Sequence, residues 1–183
     1  MREQSEKMGK DKENEMVNHP DSMVVDFLQY NRWANLQLID ICGGLTSEQL
    51  DTRAAGVYGS IYDTLRHITR AEASYYKRLT GTLLQPPFQW EQNPSLPEIR
   101  PYAEHVSSAL VDAAGQVQSS DLIDLEWEEQ KYRFKAVALL IQVVNHGVEH
   151  RTNITTILAQ LGIESPQIDG WGYIMSREDW RIG

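Results

Sequence analysis

The residues best suited to chemistry in this chain are histidines. His146 and His150 stand four positions apart in Asn145-His146-Gly147-Val148-Glu149-His150-Arg151. On a helix that spacing puts both imidazoles on one face, one turn apart. The apolar seam of the same stretch runs Leu140, Val143, Gly147, Ile154, Ile157 and Leu161, and His150 fills the gap in its alternation of threes and fours. One imidazole therefore falls on the core-facing stripe, and His146 falls at its edge. A polar ring in such a place needs a partner. A core histidine commonly finds one in a backbone carbonyl. The other solution is a divalent cation, for which His67, flanking the seam of another helix, offers a third imidazole. Three neutral imidazoles leave coordination positions open, which is the layout of a catalytic rather than a structural site. Nitrogen donors suit zinc, nickel or iron. Such an ion lowers the pKa of a bound water or holds a thiol as its thiolate.

The same residues also spell His146-x-x-Glu149-His150, the inverted zinc-protease pattern with the glutamate as general base. Proteases of that kind are larger chains with a further carboxylate ligand well downstream, and too little sequence follows His150 to supply one. No Ser-His-Asp arrangement is visible.

These histidines must be carried by helices. The first should begin near Asp21-Ser22, with Phe27, Asn31, Ala34, Leu38, Ile41 and Leu45 on its seam and Tyr30 and Trp33 beside it. Gly43-Gly44 ends it, and Thr46-Ser47-Glu48-Gln49 has the pattern of a capping box opening a short turn of helix. Ser60 and Asp63 mark the next start. That helix carries Ile61, Leu65, Ile68, Glu72, Tyr75 and Leu79 and stops at Gly81. Glu72 on an apolar seam reads as a partly exposed carboxylate near an end of the bundle, or as an acceptor that orients a ligating histidine.

Residues 82–100, with Pro86, Pro87, Pro94 and Pro97, make a long connection able to carry the chain along the bundle to a helix parallel to the previous one. Pro101 is placed in the first turn of that helix, with Tyr102, Val106, Leu110, Ala113 and Val117 on its face and His105 exposed. Leu125-Glu126-Trp127 and Tyr132-Arg133-Phe134 alternate around Glu128 to Lys131 and predict a short β-hairpin. The last helix runs from about Lys135 to Leu161 and stops at Gly162. Trp171, Tyr173 and Trp180 in the tail should pack on the bundle or on a second subunit. The class is all-α, an up-down-down-up four-helix bundle.

The chain has 183 residues, a size for one domain with a sizeable core. Residues 1–20 are charged and poor in large apolar groups, and read as a loosely ordered extension before a single domain over 21–183. No apolar run is long enough to span a membrane and no export signal is visible, so a cytoplasmic place is expected. The lone Cys42 fits that, as a small buried apolar group. A formal charge of −9 with scattered Lys and Arg argues against nucleic-acid binding.

Taken together, Leu65-Arg66-His67-Ile68-Thr69-Arg70-Ala71-Glu72, the His146 to Arg151 stretch and Tyr30-Asn31-Arg32-Trp33-Ala34-Asn35 resemble the damage-inducible DinB-like family of small metal-binding bundles, which is not the DNA polymerase sharing that name. The resemblance covers roughly Val24 to Tyr173. It implies a four-helix bundle with His67, His146 and His150 on a divalent metal, and commonly a homodimer. The family includes S-transferases and isomerases that use low-molecular-weight thiols such as bacillithiol or mycothiol. Where the family often continues its second ligand as His-Arg-Gly-Gln, this chain has His150-Arg151-Thr152-Asn153, which puts the polar contacts around the site in question more than the metal.

Three functions follow as expectations. One is a metal-dependent S-transferase acting on small electrophiles, with Tyr30, Asn31 and Trp33 lining the opening. Another is a metal- or small-ligand-binding stress protein without turnover. The third is a bundle whose histidines bond to backbone and hold no metal.

Overall fold

A computed structural model describes residues 23–180, so the expected extension over 1–20 and the Asp21-Ser22 cap lie outside the described residues. Four long helices form the bundle: α1 Met23–Cys42, α3 Ile61–Thr80, α4 Leu96–Ala114 and α5 Ala136–Gln160. Two short helices, α2 Ser47–Leu50 and α6 Gly170–Ser176, flank them, and strands β1 Leu122–Trp127 and β2 Gln130–Lys135 form an antiparallel hairpin just before α5. Among the described residues no helix is long and apolar enough to cross a membrane.

Around the bundle α1 packs on α4, α4 on α3, α3 on α5 and α5 on α1. The core divides into two apolar layers. One takes Leu38 and Ile39 of α1, Ile61 and Leu65 of α3, Ile99 of α4 and Ile154 and Ile157 of α5. The other takes Leu28 of α1, Tyr75 of α3, Val106 and Leu110 of α4 and Leu140 and Val143 of α5. The amino-terminal halves of α3 and α4 thus share a layer with the carboxy-terminal halves of α1 and α5. That is the up-down-down-up order, and it forces the long connection between the parallel α3 and α4.

Local signals account for most boundaries. Thr46 and Ser60 each accept from the backbone N–H three residues on while Gln49 and Asp63 reach back, so both capping boxes are closed. Gly81 and Gly162 take left-handed φ values of 75° and 69°, and after Gly162 the Ile163 N–H donates to the Leu158 carbonyl at 2.9 Å. This geometry uses the carbonyls a helix end leaves free. The hairpin turns on two residues only, Glu128 and Glu129, with φ of 48° and 65°; Gln130 and Lys131, expected in the turn, belong to β2. Two positive φ values match the twist of the strands.

Three expectations are corrected. On α1, Phe27 and Ile41 are exposed, and the buried face runs through Leu28, Asn31, Asn35, Leu38, Ile39 and Cys42. A helix wedged between α4 and α5 buries an arc whose centre is set by those neighbours, not by one seam. Helix α4 begins at Leu96, with Pro97 in its first turn and Pro101 inside it. There the Glu98 carboxylate accepts from the Ser95 N–H at 2.8 Å and its hydroxyl at 2.6 Å. Pro97 removes an N–H that has no partner at a helix start, and Pro101 removes one intrahelical bond. Burial of Leu96 and Ile99 offsets that loss. On the same helix Ala103 and Ala114 are buried along with the expected Val106 and Leu110, while Tyr102 packs on that core half-buried.

Of the tail aromatics, Tyr173 is buried against Tyr30 and Trp33 of α1, Trp180 meets its edge at 5.4 Å, and Trp171 stays exposed. Cys42 is fully buried, which pushes its thiol up to about 12.

Candidate metal centre

Between the two apolar layers the bundle is polar. His67 projects from the middle of α3, and His146 and His150 project from successive turns of α5. Because α3 and α5 are neighbours, the three rings meet: one ring nitrogen from each lies within 4.8 Å of the others. His67 Nε2 and His146 Nε2 are 3.0 Å apart. Two nitrogens each about 2.0–2.1 Å from one ion would stand about 3 Å apart, so the spacing suits a shared cation. His146 and His150 are 9 % and 6 % exposed.

The hydrogen bonding decides between the readings of these rings. Among the described residues none of the three imidazoles bonds to a backbone carbonyl. His150 Nδ1 is buried without any partner. A buried ring nitrogen without a partner is costly, and a set of three imidazoles is one that zinc, nickel or iron accepts. The rings also favour the neutral, ligating form. Burial, then the neighbouring His150 and His67, lowers His146 to about 4, and burial lowers His67 and His150 as well. The residues present therefore fit a divalent metal.

Tyr58, in the loop before α3, was missed by sequence reasoning. Its hydroxyl lies 3.0 Å from His67 Nδ1, its ring stacks on His67 at 4.2 Å, and it meets the edge of His150 at 4.9 Å. A partner on the far nitrogen fixes the tautomer and aim of a ligating ring. Loop residues carry no periodicity, so only the turn signals around Tyr58 were readable.

Glu72 is corrected on both counts. It is 3 % exposed, and it bonds no histidine. Its Oε1 accepts from Asn31 Nδ2 and Asn35 Nδ2, each at 2.7 Å, while Arg151 Nη1 donates to Asn31 Oδ1 at 2.7 Å and Asn35 Oδ1 at 2.6 Å. Burial raises the Glu72 carboxyl to about 7 against the lowering effects of Asn31, Arg151 and Asn35, and burial lowers Arg151. Gly147 makes room for this network: a Cβ there would stand 2.2 Å from Asn31 Oδ1 and 2.6 Å from Arg151 Nη1.

The proposed lining residues lie elsewhere than the mouth of the histidine cluster. Asn31 is in the buried network, Tyr30 donates to the Ile168 carbonyl and lies under the Arg151 guanidinium, and Trp33 packs on Tyr173. The cleft that opens on His67, of about 350 Å³, is lined instead by Arg53, Tyr58, Gly59, Asp63, Arg66 and Arg70. Glu149, the base of the protease pattern, is exposed, and the third imidazole comes from α3 rather than from a downstream carboxylate. Asn153 donates back to the Glu149 carbonyl at 3.0 Å and takes no part in the cluster.

No curated protein matches the chain. The model of one family does, over residues 16–181, and the protein belongs to that family, the DinB family.

Proposed function

We propose that the protein is a divalent-metal-dependent enzyme that transfers the sulfur of a small cellular thiol of the bacillithiol type to a small electrophile, with His67, His146 and His150 holding the metal. A zinc or nickel ion held by these three imidazoles would supply Lewis acidity, which lowers the pKa of a thiol. The chain's own part is to keep the three imidazoles neutral, aim them, and leave one side open. Burial does the first, and the Tyr58 hydroxyl on His67 Nδ1 contributes to the second. The cleft beside His67 gives small molecules access. With a chlorinated electrophile a C–S bond forms, C–Cl breaks and the thiol proton leaves with chloride; with an epoxide a C–S bond forms, the ring C–O bond breaks and the proton ends on the ring oxygen. The observation that carries the reading is the convergence of three buried or half-buried imidazoles with one ring nitrogen unpartnered.

Elemental analysis of untagged protein tests the ligand set. About one metal ion per chain is expected in the wild type and a marked loss in His67→Ala; equal content in both defeats it. Metal-loaded protein incubated with bacillithiol and a chlorinated or epoxide electrophile should outpace the thiol alone. Full metal content with no rate above that background would leave a non-catalytic binding role instead. We also infer a homodimer in which the exposed apolar side chains of α1 and α5, Phe27, Ile141 and Val148, face a second copy. Light scattering showing a monomer at working concentrations would overturn it.

A further inference from the structure

We propose that the cleft beside His67 is an oxyanion subsite, in which Arg53, Arg66 and Arg70 hold a carboxylate or phosphate group of the small molecule whose reacting end reaches the histidine cluster. The role of the cluster rests on the function proposed above, whereas the anion site stands on its own residues.

Helix α3 presents Asp63, Arg66, His67 and Arg70 at positions three, four and seven apart, which share one face. Arg53 joins them from the preceding loop. Three guanidiniums thus meet a single carboxylate, in a chain whose formal charge is −9. That carboxylate is already engaged: Asp63 Oδ2 accepts from Arg53 and from the Ser60 N–H. Among the described residues neither Arg66 nor Arg70 has a carboxylate partner.

Both are nevertheless held in place. Arg66 Nη2 donates to the Trp90 carbonyl at 2.7 Å and Nη1 to Asn93 Oδ1 at 3.3 Å, while its Nε is buried with no acceptor. The Arg70 guanidinium lies over the Trp90 ring at 5.7 Å. Concentrating cations beside a site suited to a further cation is unfavourable unless an anion comes to it, and such a cleft focuses field on anionic ligands. The guanidinium fork matches the paired oxygens of a carboxylate or phosphate. The volume of about 350 Å³ fits a small molecule.

The test uses the full chain stripped of metal with EDTA, at low ionic strength, titrated calorimetrically with succinate and separately with inorganic phosphate. Saturable binding of at least one is expected, and the tighter of the two identifies the group. Arg70→Gln and Arg53→Gln should each raise that Kd about tenfold. Arg133→Gln, whose guanidinium pairs with Asp124 on the hairpin, should leave it unchanged. No saturable binding of either anion overturns the proposal, as does an equal shift in Arg70→Gln and Arg133→Gln. Melting curves confirm that the variants are folded. Because metal is absent throughout, failure here is distinct from failure of the histidine centre, which the metal content of His67→Ala reports.

Discussion

Two polar clusters lie side by side in the middle of the bundle, and they are built in opposite ways. Asn31, Asn35, Glu72 and Arg151 close on one another, with four bonds of 2.6–2.7 Å linking two helices and a carboxylate on a third. His67, His146 and His150 bring their ring nitrogens within 4.8 Å of one another, and one side of the cluster faces a cleft. The closed cluster gives α1, α3 and α5 a fixed relative position. Among the described residues nothing occupies the space between the three histidine rings. Burial and an unmet bond are common to both, since Arg151 Nη2 also lacks a partner; what sets the histidines apart is that three imidazoles converge beside a cleft.

Substitutions can break this contrast. The largest effect should come from opening the closed cluster. Arg151→Met leaves the Asn31 and Asn35 carbonyls without their donor and Glu72 without its nearby cation. Loss of one member of a buried charged network typically costs about 3–5 kcal/mol, which urea unfolding at pH 7 would read. A change under about 1 kcal/mol would mean that the network is not a structural unit. Gly147→Ala drives a methyl into Asn31 and Arg151 and should cost about 1–3 kcal/mol. A neutral result would show that these side chains have room to move.

Tyr58→Phe touches only the open cluster. It should weaken metal binding by about tenfold or more through the aim of His67, while the unfolding midpoint of metal-free protein stays near the wild type. Unchanged metal affinity would remove Tyr58 from the site.

The smallest effect is a difference in sign with pH. His146, at about 4 when folded against an ordinary 6.5, is protonated more readily in the unfolded chain. Its contribution therefore favours folding above about 6.5 and is lost as pH falls towards 4. Glu72, at about 7 when folded against an ordinary 4.5, holds its proton more tightly in the folded chain. Its contribution is full below about 4.5 and is lost as pH rises through 7. In metal-free protein the two slopes oppose each other between about pH 4.5 and 6.5. Glu72→Gln should make stability rise more steeply with pH there, and His146→Ala should make it rise less steeply, since His67 and His150 are lowered too. Parallel pH profiles for the two variants would contradict the assignment.

Much of this was legible in the sequence because it is local. Capping boxes at Thr46 and Ser60, glycine stops at Gly81 and Gly162, and the four-residue step from His146 to His150 are all set within a turn or two of chain. The contribution of His67 was readable because its seam and that of α5 both had to face one core. What could not be read depends on neighbours. The rotation of α1 that buries Leu28 and exposes Phe27 is fixed by α4 and α5 together. Glu72 on an apolar seam looked like an end residue because its partners, Asn31, Asn35 and Arg151, come from distant parts of the chain. The start of α4 was misplaced because Pro101 obscured the plainer signal of Ser95 and Glu98. Tyr58 and Arg53 lie in a loop, where residue type alone carries no position.

The parallel course of α3 and α4 obliges the chain to return along the bundle before it can start α4. Trp90 and Asn93 lie on that return path, and they anchor Arg66 and Arg70. The same path also packs on the helices that carry the ring nitrogens: Leu84 joins the layer of Tyr75 and Leu140, and Phe88 and Trp90 pack on the layer of Leu65 and Ile68. Residues 82–95 therefore link the charged wall of the cleft to the packing of α3, so a change in one is felt by the other.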